Sequence, residues 1–334
     1  MERIRIAQIG TSDNSHGNDI WCTLTRCTDL FDVVGYALPE NEREKFPHRM
    51  SAFEGYREMT VEEILSDPTI EAVAVETEEI YLTKYALMVA RSGKHLHMEK
   101  PGGREHEDFE ELVRILKEKN LVFSTGYMYR FNPKVKEALE KIKRGDLGKI
   151  YSVEAHMSCK HKAHVREWLD AFTGGMLFFL GCHLIDLIYQ IQGEPEEVIP
   201  LTCSTGIDDI HTKDYGMVVF KYPNGISFAK TCDNECGGFM RKQLVICGEK
   251  GTIEIKPIEV EKGKGQYTVS SEDYNVSGSD WSKPWLTSMT DVYDRYDDMM
   301  RNFAEMVRGK ENPYTYDYEL NLHKLILKSC GREI

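Results

Sequence analysis

No apolar run in this 334-residue sequence approaches the roughly 20 residues of a membrane-spanning helix, which excludes a helical membrane protein. The opening Met1-Glu2-Arg3-Ile4 runs straight into a strand pattern and leaves no room for a signal peptide, so the expected location is the cytoplasm. Positive charge is in short supply. Lys and Arg number 42 against 55 Asp and Glu, a net charge of −13, which argues against nucleic acid or an anionic membrane as partner. There is no Cys-x-x-Cys among the nine cysteines, and Cys22/Cys27 and Cys232/Cys236 are spaced too widely for a zinc knuckle. The expectation is reduced thiols and no metal site, since Asp233, Glu235 and Asp208-Asp209 form no recognisable ligand set either. Repeats and low-complexity tracts are also missing, and Ser270–Ser282 is the most loop-like segment.

What is present suits two domains with separate cores, at 41% hydrophobic and 29% charged residues. Short apolar strands at Ile4–Ile9, Phe31–Ala37, Ala72–Val75, His95–Met98 and Val122–Thr125 alternate with helices at Asp19–Thr28, Leu82–Ser92 and Glu107–Lys119. Thr60 and Glu63 form a capping box. Such alternation predicts a Rossmann-type, doubly wound parallel sheet over residues 1–123. From 124 to 334 the pattern predicts an α+β domain with a mostly antiparallel open sheet, entered by a helix that Asn132-Pro133 begins and Gly145 ends. Hairpin turns fall at Pro223-Asn224-Gly225 and Glu249-Lys250-Gly251. One helix is expected over Met176–Gln192, a long one from Thr290, and a last one over Glu319–Ser329.

Two stretches carry chemistry. Glu99-Lys100-Pro101 ends an apolar strand, where an ammonium can polarise a substrate oxygen. Gly174-Gly175 leads to Gly181-Cys182-His183-Leu184-Ile185-Asp186, where an imidazole can move a proton at neutral pH. Asp186, one turn after His183, is a candidate to orient that imidazole, or else a structural cap or surface bond.

With Gly126-Tyr127-Met128-Tyr129-Arg130-Phe131-Asn132-Pro133 and Gly145-Asp146-Leu147-Gly148, these motifs resemble the glucose–fructose oxidoreductase / inositol dehydrogenase / MocA family nearly end to end. The resemblance implies an NAD- or NADP-dependent dehydrogenase of a sugar, polyol or sugar-acid derivative, associating as a homodimer or homotetramer through its second sheet. It assigns Lys100 to the reacting oxygen and His183 to acid/base work, with Glu99 and Pro101 beside the cofactor.

The sequence departs from that pattern in four places. Phe179 stands where the family has an acid one turn before the histidine. In the cofactor loop Gly10-Thr11-Ser12-Asp13-Asn14-Ser15-His16-Gly17, only the first glycine of Gly-x-Gly-x-x-Gly is in place, leaving Ser12, Asn14, Ser15 and His16 as the remaining contacts. Leu38 replaces the acid expected at the adenosine ribose, with Arg43 nearby. Thr77 lies in Glu76-Thr77-Glu78-Glu79, whose three carboxylates are expected to repel a phosphate. A redox-inactive, ligand-binding or regulatory protein of the same fold is therefore the alternative, and glycoside cleavage through transient oxidation a third reading. Tyr127 and Arg130 are candidate substrate contacts, as are Lys160 and His164 in the basic segment Cys159–Arg166, which suits an anionic substrate or is a solvated loop.

Overall fold

The computed structural model describes residues 2–263, 265–274 and 285–334. The chain forms two compact units, Met1–Tyr127 with Tyr296–His323 and Met128–Arg295 with Lys324–Ile334.

In the first unit, β1 (Ile4–Ile9), β2 (Phe31–Ala37), β3 (Ala72–Val75), β4 (His95–Met98) and β5 (Phe123–Thr125) form a parallel sheet in the order β2-β1-β3-β4-β5. Every residue of Ala72–Val75 is buried, as a strand covered on both faces requires. The Thr60/Glu63 capping box forms as the sequence predicts. The strand order reverses between β1 and β3, which places the carboxyl ends of those strands at the crevice where open α/β sheets bind ligands.

This unit is not confined to residues 1–123. The chain returns to it after Arg295, and the helix expected from Thr290 begins only at Asp297. Before that, Tyr293 exchanges backbone hydrogen bonds with Gln266 of the second unit. Met299, Phe303 and Met306 are buried as expected, whereas Val292 is exposed. Further on, Asn312 donates to the Phe123 carbonyl, Tyr316 to the Leu121 carbonyl, and Thr125 to Glu319. A run of helical apolar spacing cannot reveal that the chain changes units in its middle.

In the second unit, β6 (Ile150–His156), β7 (Glu197–Cys203), β8 (Tyr215–Tyr222), β9 (Gly225–Cys232), β10 (Gln243–Gly248), β11 (Gly251–Ile255), β14 (Val269–Tyr274) and β15 (Leu286–Met289) form one sheet. The pair β12 (Val260–Lys262) and β13 (Gly265–Tyr267) is separate. All neighbours in the large sheet are antiparallel except β6 and β9. Both predicted hairpins form, closed by the pairs Tyr222–Gly225 and Gly248–Gly251. Ser270–Tyr274, expected as loop, belongs to β14, and the remainder of that expected loop lies outside the described residues. The helix expected over Met176–Gln192 is two, Met176–Phe179 and Gly181–Gln192, broken at Leu180. At Gly181 a Cβ would fall 2.7 Å from Leu177 Cδ1, so a larger residue there would have to displace the end of that leucine side chain.

Candidate active site

In the first unit the loop after β1 is held closed by its own side chains. Gln8 is fully buried and donates to the carbonyls of both Gly10 and Gly17, pinning the two ends together. Gly10, at φ +90°, lies so close to the turn after β3 that a Cβ would meet Thr77 Cγ2 at 2.4 Å. The Ser12 hydroxyl accepts from the amides of Asn14 and Ser15, and the Ser15 hydroxyl accepts from those of Ser12 and Gly17. The Thr11 amide donates to buried Glu42. These are the amides that a dinucleotide's pyrophosphate uses in a glycine-rich loop.

Charge around the loop differs from the sequence expectation. Burial pushes the carboxyls of Glu42 and Glu79 up to about 8 and that of Glu76 well above the ordinary range, so these groups are neutral near pH 7. Glu78, the partly exposed carboxylate, faces Lys45 at 3.9 Å. The repulsion expected from Glu76-Thr77-Glu78-Glu79 is thus largely removed by burial. Asp13 is exposed and bonds His48. Arg49 donates to the Thr11 hydroxyl at 2.9 Å and lies 3.5 Å from the Ser15 carbonyl, bringing to the loop a cation that no motif announces. Leu38 packs against Trp21, Tyr36 and Phe53, so the end of β2 is apolar, while Arg43 pairs with Glu58. The site therefore fits a dinucleotide by strand order, the glycine at the turn, neutralised carboxyls and Arg49, with hydroxyls standing between the loop amides and a phosphate.

Lys100 is buried at the carboxyl end of β4, with Nζ 3.6 Å from Glu99 Oε1. Glu99 also accepts from His16 Nδ1 at 3.0 Å. Burial would raise the Glu99 carboxyl, but the charges of His16 and Lys100 outweigh it and hold it at about 2. His97 Nε2 sits 3.6 Å from Glu76, and burial pulls that imidazole down to about 4. Tyr127 and Pro101 are buried in this unit as well.

In the second unit His183 is 1% exposed on the first turn of Gly181–Gln192, its ring edge-on to Tyr129 with centroids 5.0 Å apart. The Tyr129 hydroxyl donates to Glu259 at 2.6 Å, and Lys242 and Arg295 bond the same carboxylate at 2.8 and 2.7 Å. Although burial opposes ionisation, Arg295 and Lys242 hold Glu259 at about 2. Burial and that carboxylate push the Tyr129 phenol well up, so it remains a neutral donor. Lys242, Glu259 and Arg295 escape sequence reading because no spacing links them. Arg130, expected at a substrate, is buried against Asp186 at 2.8–3.1 Å, and Asp186 also accepts from Gln190. Asp186 thus serves as the structural partner of Arg130. Phe179 packs edge-on to Trp168. Lys160 and His164 are exposed, which suits a basic rim and a solvated loop alike. Asp233, which spacing leaves without companions, meets Cys159 and His161.

Among the described residues, all nine cysteines carry thiols and no helix is long and apolar enough to cross a membrane. The family model described as "Oxidoreductase family, NAD-binding Rossmann fold" matches residues 4–127, and "GFO/IDH/MocA C-terminal domain" matches 135–254. Trans-1,2-dihydrobenzene-1,2-diol dehydrogenase of Bos taurus is 27% identical over 199 residues, 58% of this chain and 57% of that protein. The 1,5-anhydro-D-fructose reductase of Ensifer adhaerens is 22% identical over 218 residues, 64% of this chain and 65% of its own length. The matched stretches thus span less than two thirds of both relatives. A levoglucosan dehydrogenase, solved with NADH and levoglucosan, shares the fold at TM-score 0.79 and 18% identity, covering 99% of this chain and 98% of its own. The chain belongs to the GFO/IDH/MocA family of oxidoreductases, with the family's NAD-binding Rossmann fold as its N-terminal domain.

Proposed function

We propose that this protein is an NAD- or NADP-dependent oxidoreductase of a sugar, polyol or sugar-acid derivative, with Lys100 polarising the substrate oxygen and His183 as acid/base. The observation that carries the reading is Lys100 itself, a lysine 2% exposed at the carboxyl end of a central parallel strand. Packing alone seldom buries an ammonium. A bound nicotinamide supplies or accepts the hydride. Gly10, Ser12, Asn14, Ser15, His16, Leu38, Thr77, Glu99 and Pro101 hold that cofactor, with Arg49 beside its phosphates. In oxidation the Lys100 ammonium stabilises the alkoxide that develops as His183 takes the hydroxyl proton; in reduction His183 returns it. Exposed Lys160 and His164 favour an anionic sugar derivative, with Tyr127 as a further contact. The thiols of all nine cysteines suit the cytoplasm. Exposed Leu201, Ile226, Leu286 and Met289 on strands of the second sheet suit a homodimer or homotetramer.

The test is titration of NADH and NADPH into the full chain, followed by turnover on sugars, polyols and sugar acids. Lys100→Ala and His183→Ala are each expected to lower kcat by about 10²–10⁴-fold with cofactor affinity retained. Phe179 in the acid's place and loop amides bound to hydroxyls favour a second reading, a redox-inactive ligand-binding protein. Failure of both nucleotides to bind at millimolar concentration overturns the first reading. Ligand-dependent thermal stabilisation without turnover supports the second.

A further inference from the structure

We propose that Cys159, His161 and Asp233 form a binding site for a zinc-class divalent transition-metal ion within the second unit. Cys159 and His161 lie two residues apart on the extended chain after β6, so their side chains share a side. Asp233 follows directly on β9, the parallel neighbour of β6. The backbone ladder continues past both strands. Cys159 N–H donates to the Cys232 carbonyl, His161 N–H to the Asp233 carbonyl, and Glu235 N–H to the Cys159 carbonyl. The backbone at all three residues is therefore held in place by main-chain bonds before any ion arrives.

Cys159 Sγ is 3.1 Å from Asp233 Oδ1 and 3.4 Å from His161 Nδ1, and the imidazole and carboxylate atoms are 2.5 Å apart. Thiolate, imidazole and carboxylate are the zinc donor set. Tetrahedral bonds of about 2.0–2.3 Å separate neighbouring donors by roughly 3.3–3.6 Å. The two sulfur distances are close to that range, and the third opens if the half-exposed His161 swings outward.

An independent observation also points to a cation. Asp233 is wholly buried, and its Oδ2 has no hydrogen-bond partner. Leaving such an oxygen unmet is costly, and an ion that draws in both oxygens of this carboxylate would meet it. A dication balances one carboxylate and one thiolate to zero net charge, which a buried site favours. The thiol proton leaves to solvent as the sulfur–metal bond forms. A cysteine nucleophile fits the geometry less well. One imidazole nitrogen, Nδ1, faces both sulfur and carboxylate, whereas a relay uses the two ring nitrogens separately. Leu169, Met176 and Phe179 pack with Cys159 as an apolar wall, and the partly exposed His161 marks the side from which a fourth ligand can enter.

The experiment titrates Co²⁺ into the full chain after chelator dialysis and reads the optical spectrum. One equivalent per chain is expected, with a thiolate-to-cobalt charge-transfer band that added Zn²⁺ abolishes. Cys159→Ser should lose that band, and His161→Ala should bind at least the roughly tenfold more weakly that even an outer-shell loss costs. Circular dichroism establishes that each variant is folded. His161 is partly exposed, so its variant decides the matter if the Cys159 variant does not fold. No stoichiometric uptake, a band that survives Cys159→Ser, or unchanged affinity in His161→Ala overturns the proposal.

Discussion

Burial changes what Glu42 and Glu79 are. On the sequence they count as anions beside a phosphate loop; in the structure both titrate near 8 and are neutral at pH 7. Each binds a proton more tightly folded than unfolded, so its stabilising contribution is full below the unfolded carboxyl value and is lost as pH rises through about 8. Glu99 has the opposite sign: held at about 2, it stabilises above its unfolded value and that stability is lost as pH falls toward about 2. Glu42→Gln is therefore expected to lose less Tm than the parent between about pH 5 and pH 8, as scanning calorimetry at several pH values would measure. The glutamine keeps an acceptor for the Thr11 amide. Lys100 and His183 were legible as residues because each lies in a short motif. Arg49, Glu259 and Arg295 were not, since each acquires its role from a partner remote in the chain.

Local chemistry explains which elements the sequence announced. The helix Pro133–Arg144 starts where Asn132 accepts from the amides of Lys134 and Val135, a cap visible in the sequence. The amide nitrogen of the same side chain also lies 2.8–2.9 Å from the Ile258 carbonyl and the hydroxyls of Thr268 and Tyr293, which no local pattern reveals. Asn132→Ala should thus cost more than the ~1 kcal/mol of an ordinary cap. Leaving the buried partners unmet adds about 1–3 kcal/mol. Asn132→Ser, which keeps the cap acceptor, is expected to fall between the two in urea unfolding. The break at Leu180 escaped prediction for a related reason. Met176–Gln192 has continuous apolar spacing, and nothing in that spacing marks Leu180 as the point where one helix stops and the next begins.

At the scale of the molecule, the first unit is completed by residues that follow the second in sequence. Phe303 is fully buried there, its ring 5.8 Å from that of His97. Phe303→Ala is expected to destabilise the unit by about 3–5 kcal/mol, read as faster hydrogen exchange in β1 and β3. Cutting the chain at the boundary expected after residue 123 would leave that core uncovered. By itself the sequence determined the alternation of strand and helix, the two hairpins and the motifs around Lys100 and His183, because each rests on neighbours a few residues apart. Only tertiary structure decided that Glu42 and Glu79 are neutral, that Arg130 belongs to Asp186, that Asp233 joins Cys159 and His161, and where the chain re-enters its first unit. Those outcomes depend on desolvation and on contacts between distant segments, which periodicity does not encode.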